Sequence, residues 1–147
     1  MCSVLGRAIP ANLLRGAFES TPVDMEMFAL VRQLKIGCAT GIITDNKRER
    51  IDHLRGYQRL DALFAPIVVS AETGCTKDNP AIFEYALERS RVSPEESIFI
   101  DNTSENLLVA ATLGMNVIHF DDAKNDVAQL TEQLQATYGL PAQWSAA

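Results

Sequence analysis

The sequence has few of the residues that build disulfide frameworks and metal clusters. Its 147 residues contain only two histidines and three cysteines, Cys2, Cys38 and Cys75. The cysteines are odd in number, lie far apart and form no C-x-x-C pair, which argues against a disulfide scaffold or a zinc ribbon. Reduced thiols are typical of the cytosol, so we expect a cytoplasmic protein.

Long apolar runs and an excess of positive charge are also absent. No run approaches the roughly 18 residues of a membrane span, and the N-terminus lacks the basic-then-apolar pattern of a signal peptide. The net charge is −6, whereas binding to nucleic acid or anionic lipid requires a basic patch. We therefore expect no nucleic-acid or membrane partner, and the ordinary composition indicates one globular domain.

Short apolar runs alternate with helix-like segments from residue 22 onward. The strand candidates are 38–43, 66–70, 97–100 and 116–120. Helical spacing marks 22–35, the segment after residue 46, the segment that Asn79-Pro80 opens, 104–113 and 124–137. Strands that are apolar throughout are buried on both faces, and the helices between them make right-handed crossovers. This pattern predicts an α/β fold, a doubly wound parallel sheet in three α/β/α layers.

The same periodicities predict which helical residues face the core. Leu107, Leu108 and Ala111 are expected on the inner face of the helix 104–113. Asp24 is expected inside the first helix, and His53 is expected on the solvated face of the second.

Polar residues follow three of the predicted strands. Thr44 ends the first, the loop 71–77 with Lys77 follows the second, and Asp101 ends the third. Each has an ordinary structural explanation, as a helix cap or a solvated side chain. Ligands of open parallel sheets, however, bind beyond the carboxyl ends of the strands. A hydroxyl and a lysine can hold phosphoryl oxygens there, and a carboxylate can hold Mg²⁺, so the trio indicates phosphate chemistry.

Three segments resemble the haloacid dehalogenase-like (HAD) hydrolase superfamily, whose core is Rossmann-like. They are GIITDN (41–46), LFAPIVVSAETGCTKDNPAIFEYAL (63–87) and ESIFIDNTSENLLVAATLGMNVIHF (96–120). The resemblance implies that Thr44 and Lys77 are catalytic and that Asp101 and Asn102 hold Mg²⁺. It also implies a set of substrate-binding residues: Thr44, Asp45, Asn46, Lys77 and Asn106.

Two departures from the family pattern affect the expected activity. The second acid of the fourth motif is replaced by Asn102, which supplies no charge to a metal. No D-x-D precedes Thr44, so the nucleophile that the family carries on its first strand is not found. Loss of such a nucleophile costs factors on the order of 10⁴ to 10⁶ in rate. The chain alone is therefore expected to be a truncated hydrolase that is inactive or weak.

In the family the missing strand is central, between the strands that end at Thr44 and Asp101. Its place could be taken by residues 2–9, by a strand exchanged within a homodimer, or by a missing N-terminal segment. We accordingly divide the chain into 1–21, a remnant of a cap or linker or a substitute strand, a HAD-like core at 22–140, and a tail at 141–147.

The resemblance favours a Mg²⁺-dependent phosphatase that acts on a small phosphorylated molecule. A 2-haloacid dehalogenase is the other branch of the family, and it uses no metal. A catalytically dead relic that binds phosphate or a partner chain also remains open. A receiver-type signalling domain is disfavoured because we find no acidic pair with a phospho-accepting Asp in the N-terminal half.

Overall fold

A computed structural model describes residues 3–4, 7–8, 11–20 and 22–140. The strands are β1 (Ser3–Val4), β2 (Arg7–Ala8), β3 (Ile42–Thr44), β4 (Ile67–Val69), β5 (Ile98–Asp101) and β6 (Asn116–His119). The helices are α1 (Ala11–Glu19), α2 (Met25–Leu34), α3 (Arg48–Tyr57), α4 (Ser70–Thr73), α5 (Pro80–Ser90), α6 (Ser104–Thr112) and α7 (Val127–Tyr138). The predicted tail 141–147 lies outside the described residues.

Three helices, α2, α5 and α7, begin where a side chain satisfies a free backbone N–H group. The Asp24 carboxylate accepts from the backbone N–H of Met27 and so caps α2. The predicted start of this helix at residue 22 is therefore wrong, and Asp24 precedes the helix instead of lying inside it. The Asn79 side chain accepts from the backbone N–H of Ala81 ahead of α5, with Pro80 at the first helical position, as the Asn-Pro pair predicts.

The parallel strands form two separate pairs. β3 pairs with β4 in a register that aligns Thr44 with Val69, and β5 pairs with β6 in a register that aligns Asp101 with His119. Within the described part of the chain no strand pairing joins the two pairs, and we call this break the sheet interruption. The prediction of an α/β fold with parallel strands is confirmed.

β1 and β2 pair with each other in antiparallel fashion. In the described residues neither of them pairs with a parallel strand. The remainder of the segment 2–9, which was considered as a substitute strand, lies outside the described residues.

Successive side chains of a strand point to opposite faces of the sheet, and helices cover both faces of β5 and β6. Phe99 packs in a core cluster with α5 and α6, whereas Ile98, Ile100 and Ile118 pack in a second cluster with α2 and α7. The first cluster also contains Val68 of β4, so it bridges the two strand pairs. Apolar packing therefore connects the two halves of the sheet where the hydrogen-bonded ladder does not.

Two expected positions on α6 are wrong. Leu107 is buried as predicted, but Leu108 is 67% exposed, and Ala111 is also exposed. The inner face instead continues through Ala110, which is fully buried. Residues 107–111 are all apolar, so the pattern alone cannot set the rotation of the helix about its axis.

His53 also differs from its expected place on a solvated helix face. Its ring is half-buried, stacks on Tyr57 at a centroid distance of 5.8 Å and lies 2.9 Å from a carboxylate oxygen of Glu19. His53 thus packs α1 against α3. In the described part of the chain, no helix is long and apolar enough to cross a membrane.

Candidate active site

The carboxyl ends of the two strand pairs meet at one edge of the molecule. Thr44 is the last residue of β3, and Asp101 is the last residue of β5. Lys77 follows α4 and lies in the connection from β4 to α5. Parallel strands place their carboxyl ends at a common edge, so the fold itself collects these three residues.

A contact between Lys77 and Asp101 crosses the sheet interruption. The Lys77 ammonium donates to Oδ2 of Asp101 at 2.7 Å. The lysine side chain is 16% exposed, and the aspartate side chain is 6% exposed. The two residues come from different strand pairs, so this ion pair joins the halves of the sheet at the predicted site.

The second oxygen of Asp101 is held by the start of α6. Oδ1 accepts from the backbone N–H of Thr103 at 2.8 Å and lies 3.4 Å from Nδ2 of Asn106. Burial raises the pKa of Asp101, but the hydrogen bonds from Lys77 and Thr103 outweigh it and leave the pKa below its ordinary value. Asp101 is therefore a carboxylate at neutral pH, as a metal ligand must be.

The loop after β3 is tied to the β4–α5 connection at two points. Oδ1 of Asp45 accepts from the backbone N–H of Lys77 at 3.0 Å. The backbone N–H of Asn46 donates to Oγ of Ser70 at 3.0 Å. The Asn46 side chain accepts from its own neighbour, the N–H of Lys47. The Asp45 side chain thus holds the two loops together, whereas the Asn46 side chain makes a contact within its own loop.

Ser70 is a site residue that the sequence reasoning missed. Its hydroxyl lies between the N–H and the carbonyl oxygen of Asn46, at 3.0 and 3.4 Å. Its position directly after the apolar run of β4 is the one signal that could have found it, since polar residues at strand ends were the criterion for the other candidates.

Asn102 is exposed at the edge of the site. Its side-chain oxygen accepts from the hydroxyl of Thr103, and its carbonyl oxygen lies 3.0 Å from Nε2 of His119. Asn106 lies one helical turn away, beside Asp101. The structure therefore places Asp101, Asn102 and Asn106 within one strand-to-helix turn.

The oxygen donors present are compatible with Mg²⁺, which is bound through one or two carboxylates while phosphate and water supply its other ligands. Asp101 offers the carboxylate and Asn102 an amide oxygen. Within the described residues no group of three or more His, Cys, Asp or Glu side chains is placed to hold a metal. Asp101 and Asn102 would therefore supply only part of the ligands that Mg²⁺ requires.

Comparisons with known proteins match this architecture. The model of the haloacid dehalogenase-like hydrolase family matches residues 19–120. The chain is 33% identical to mouse acyl-CoA dehydrogenase family member 10, over 96% of this chain and 13% of that protein. It is also 33% identical to the glyceraldehyde 3-phosphate phosphatase of Pyrococcus furiosus, over 74% of this chain and 46% of the relative. The chain thus spans less than half the length of each of these relatives.

A solved structure shows the same fold. A HAD family enzyme from Bacteroides thetaiotaomicron, in complex with magnesium and inorganic phosphate, superposes with a TM-score of 0.68 at 20% identity. The superposition covers 78% of this chain and 63% of that one. Together with the match of the family model to most of the chain, this fold identifies the protein as a member of the haloacid dehalogenase-like hydrolase family.

Proposed function

We propose that this chain provides the phosphate-binding and metal-binding part of a Mg²⁺-dependent phosphatase for a small phosphorylated molecule. The observation that carries the proposal is the 2.7 Å contact of Lys77 with Asp101 at the common edge of the strands. Phosphoryl transfer requires positive charge for compensation, which the ammonium supplies directly and a carboxylate supplies by holding Mg²⁺. The P. furiosus relative is a phosphatase, which supports the same reaction class.

Each residue has a distinct role in this proposal. Thr44 presents its hydroxyl to a phosphoryl oxygen, and the Lys77 ammonium offsets the negative charge of the transferring group. Asp101 and Asn102 hold Mg²⁺, which when bound neutralises charge on the phosphoryl oxygens. Asn106 supports the orientation of Asp101 through its amide.

The proposed reaction also requires a nucleophile. We propose that an extended strand carrying a carboxylate at its end occupies the sheet interruption. That carboxylate attacks phosphorus, the P–O bond to the leaving alcohol breaks, and the alcohol oxygen takes a proton from a second carboxylic acid at the end of the strand. Water then hydrolyses the aspartyl phosphate and releases orthophosphate with the free carboxylate. In this proposal the chain binds phosphate through Thr44 and Lys77, and the added strand supplies the attacking carboxylate.

The test joins an apolar strand that ends in D-x-D to the N-terminus of the chain and measures phosphate release from a generic phosphate ester. We expect Mg²⁺-dependent turnover that is absent from the chain alone. The matched control carries the same strand ending in N-x-N, which can enter the sheet but cannot attack phosphorus. Equal turnover with both strands would contradict the proposal, and so would release of halide from a 2-haloacid in place of phosphate.

Two variants of the fused protein assign the activity to this chain. Lys77→Ala and Asp101→Asn should each reduce turnover at least about a hundredfold, because charge stabilisation in the transition state is worth several kcal/mol. Circular dichroism and urea unfolding establish that each variant is folded. Folded variants that keep full activity would show that the site lies elsewhere.

A further inference from the structure

Asp45 has a contact that neither substrate binding nor proton transfer explains. Its Oδ1 accepts from the backbone N–H of Lys77, a residue 32 positions further along the chain, at 3.0 Å. The same lysine extends its ammonium to Asp101 on the other strand pair. Asp45 thus holds the backbone of Lys77, and Asp101 holds its side-chain end.

A second contact acts on the same pair of loops but at a different point. The backbone N–H of Asn46 donates to Oγ of Ser70, which begins α4. Ser70 is the first residue of the segment between β4 and α5, and Lys77 lies near its other end. These two contacts fix the segment against the end of β3, and of the two the contact from Asp45 is the one made by the Lys77 backbone.

The charge of Asp45 makes a direct role with phosphate unfavourable. Asp45 is exposed beside a site whose expected ligand is an anion, so its carboxylate repels that ligand. An acceptor for one backbone N–H does not need a full charge, since an amide oxygen accepts as well. The useful property of Asp45 is therefore the position of its oxygen.

We propose that Asp45 is a positioning residue that fixes the backbone of Lys77, so that the lysine ammonium reaches Asp101 and a bound phosphoryl group. This inference rests on the proposed phosphate site for its functional consequence. The structural part of the inference rests on the Asp45–Lys77 contact alone. The experiment tests this structural part and the effect on phosphate binding separately.

The structural arm measures amide hydrogen exchange by NMR in the unmodified chain and in three variants. In Asp45→Ala the amide of Lys77 should exchange about fivefold faster or more, as expected for loss of a hydrogen bond to a charged but exposed group. In Asp45→Asn the amide should stay protected. In Ser70→Ala the amide of Asn46 should exchange faster, while that of Lys77 does not change. Unchanged exchange of Lys77 in Asp45→Ala would overturn the inference.

The functional arm titrates each variant with inorganic phosphate. Asp45→Ala should bind phosphate about fivefold more weakly, whereas Asp45→Asn should bind it at least as tightly as the parent because repulsion is removed. Equal weakening in Asp45→Asn and Asp45→Ala would show that the charge itself acts, and would refute the positioning role. If the parent chain binds no phosphate while Lys77 exchange still responds as expected, the phosphate site fails and the structural role of Asp45 stands.

Discussion

The ion pair between Lys77 and Asp101 should contribute measurably to stability as well as to the site. The ammonium lies 2.7 Å from the carboxylate, and both side chains are largely removed from solvent. A hydrogen bond between charged groups contributes roughly 1.5–3 kcal/mol, while the lost hydration of both groups opposes the Coulomb attraction. We expect a coupling free energy of about 2 kcal/mol between the two residues.

A double-mutant cycle measures this coupling. Lys77→Met and Asp101→Asn should each lower the free energy of unfolding by about 2–3 kcal/mol, and the double variant by about 3 kcal/mol, less than the sum. The assay is urea unfolding at pH 7. The exposed pair Arg55–Asp61, also at 2.7 Å, is the matched control and should show a smaller coupling because water screens it. Additivity of the two single effects to within about 0.5 kcal/mol would refute the reasoning.

The same pair predicts a pH dependence with a definite sign. The pKa of Asp101 in the folded protein lies below its ordinary value of 3.8. A lowered pKa means that the stabilisation is fully present above the unfolded value and is lost as the pH falls through the folded one. The stability difference between the parent and Asp101→Asn should therefore be constant from pH 7 to about 5 and shrink below pH 4. A difference that grows on acidification would contradict this assignment.

Two further predictions concern the parts of the fold that support the site. Phe83 is fully buried and makes an edge-to-face contact with Phe99 at 4.9 Å, so Phe83→Ala should cost about 3–5 kcal/mol of unfolding free energy and Phe83→Leu markedly less. Equal costs would contradict the assumption that the volume lost from the buried cluster sets the cost. Asn79→Ala should cost about 1 kcal/mol through loss of the α5 cap, and Asn79→Asp should restore most of it; the same urea assay checks both.

Local sequence signals predicted the parallel strands and the helices α2, α3, α5, α6 and α7, and they placed the candidate site residues at one edge. The strands β3, β4 and β5 are short apolar runs with a polar residue at the last strand position or directly after it, so Thr44 and Asp101 were placed at one edge from position alone. The start of α5 was equally visible, because Asn79 and Pro80 act through contacts within one turn. These features depend on neighbours in the chain, which a single sequence contains.

Features that depend on distant contacts were not predictable in the same way. The rotation of α6 about its axis was predicted wrongly because its apolar residues run without a break. Only the packing of α6 against α5 and β5 shows that Ala110 faces inward. The contact of Asp45 with the backbone of Lys77 was not predicted, because nothing in the sequence shows it. His53 was placed in solvent because its partner Glu19 lies 34 residues away.

The sheet interruption links the stability of this chain to its proposed activity. A strand that enters the interruption would form backbone hydrogen bonds only with the folded chain, and any species that binds the folded state alone raises the free energy of unfolding. Both the D-x-D and the N-x-N strand should therefore stabilise the chain to a similar extent, since their apolar residues and backbone groups are the same. Only the D-x-D strand should restore turnover. Stabilisation by both strands with turnover from one would separate the structural role of the added strand from its chemical role, which activity alone cannot do.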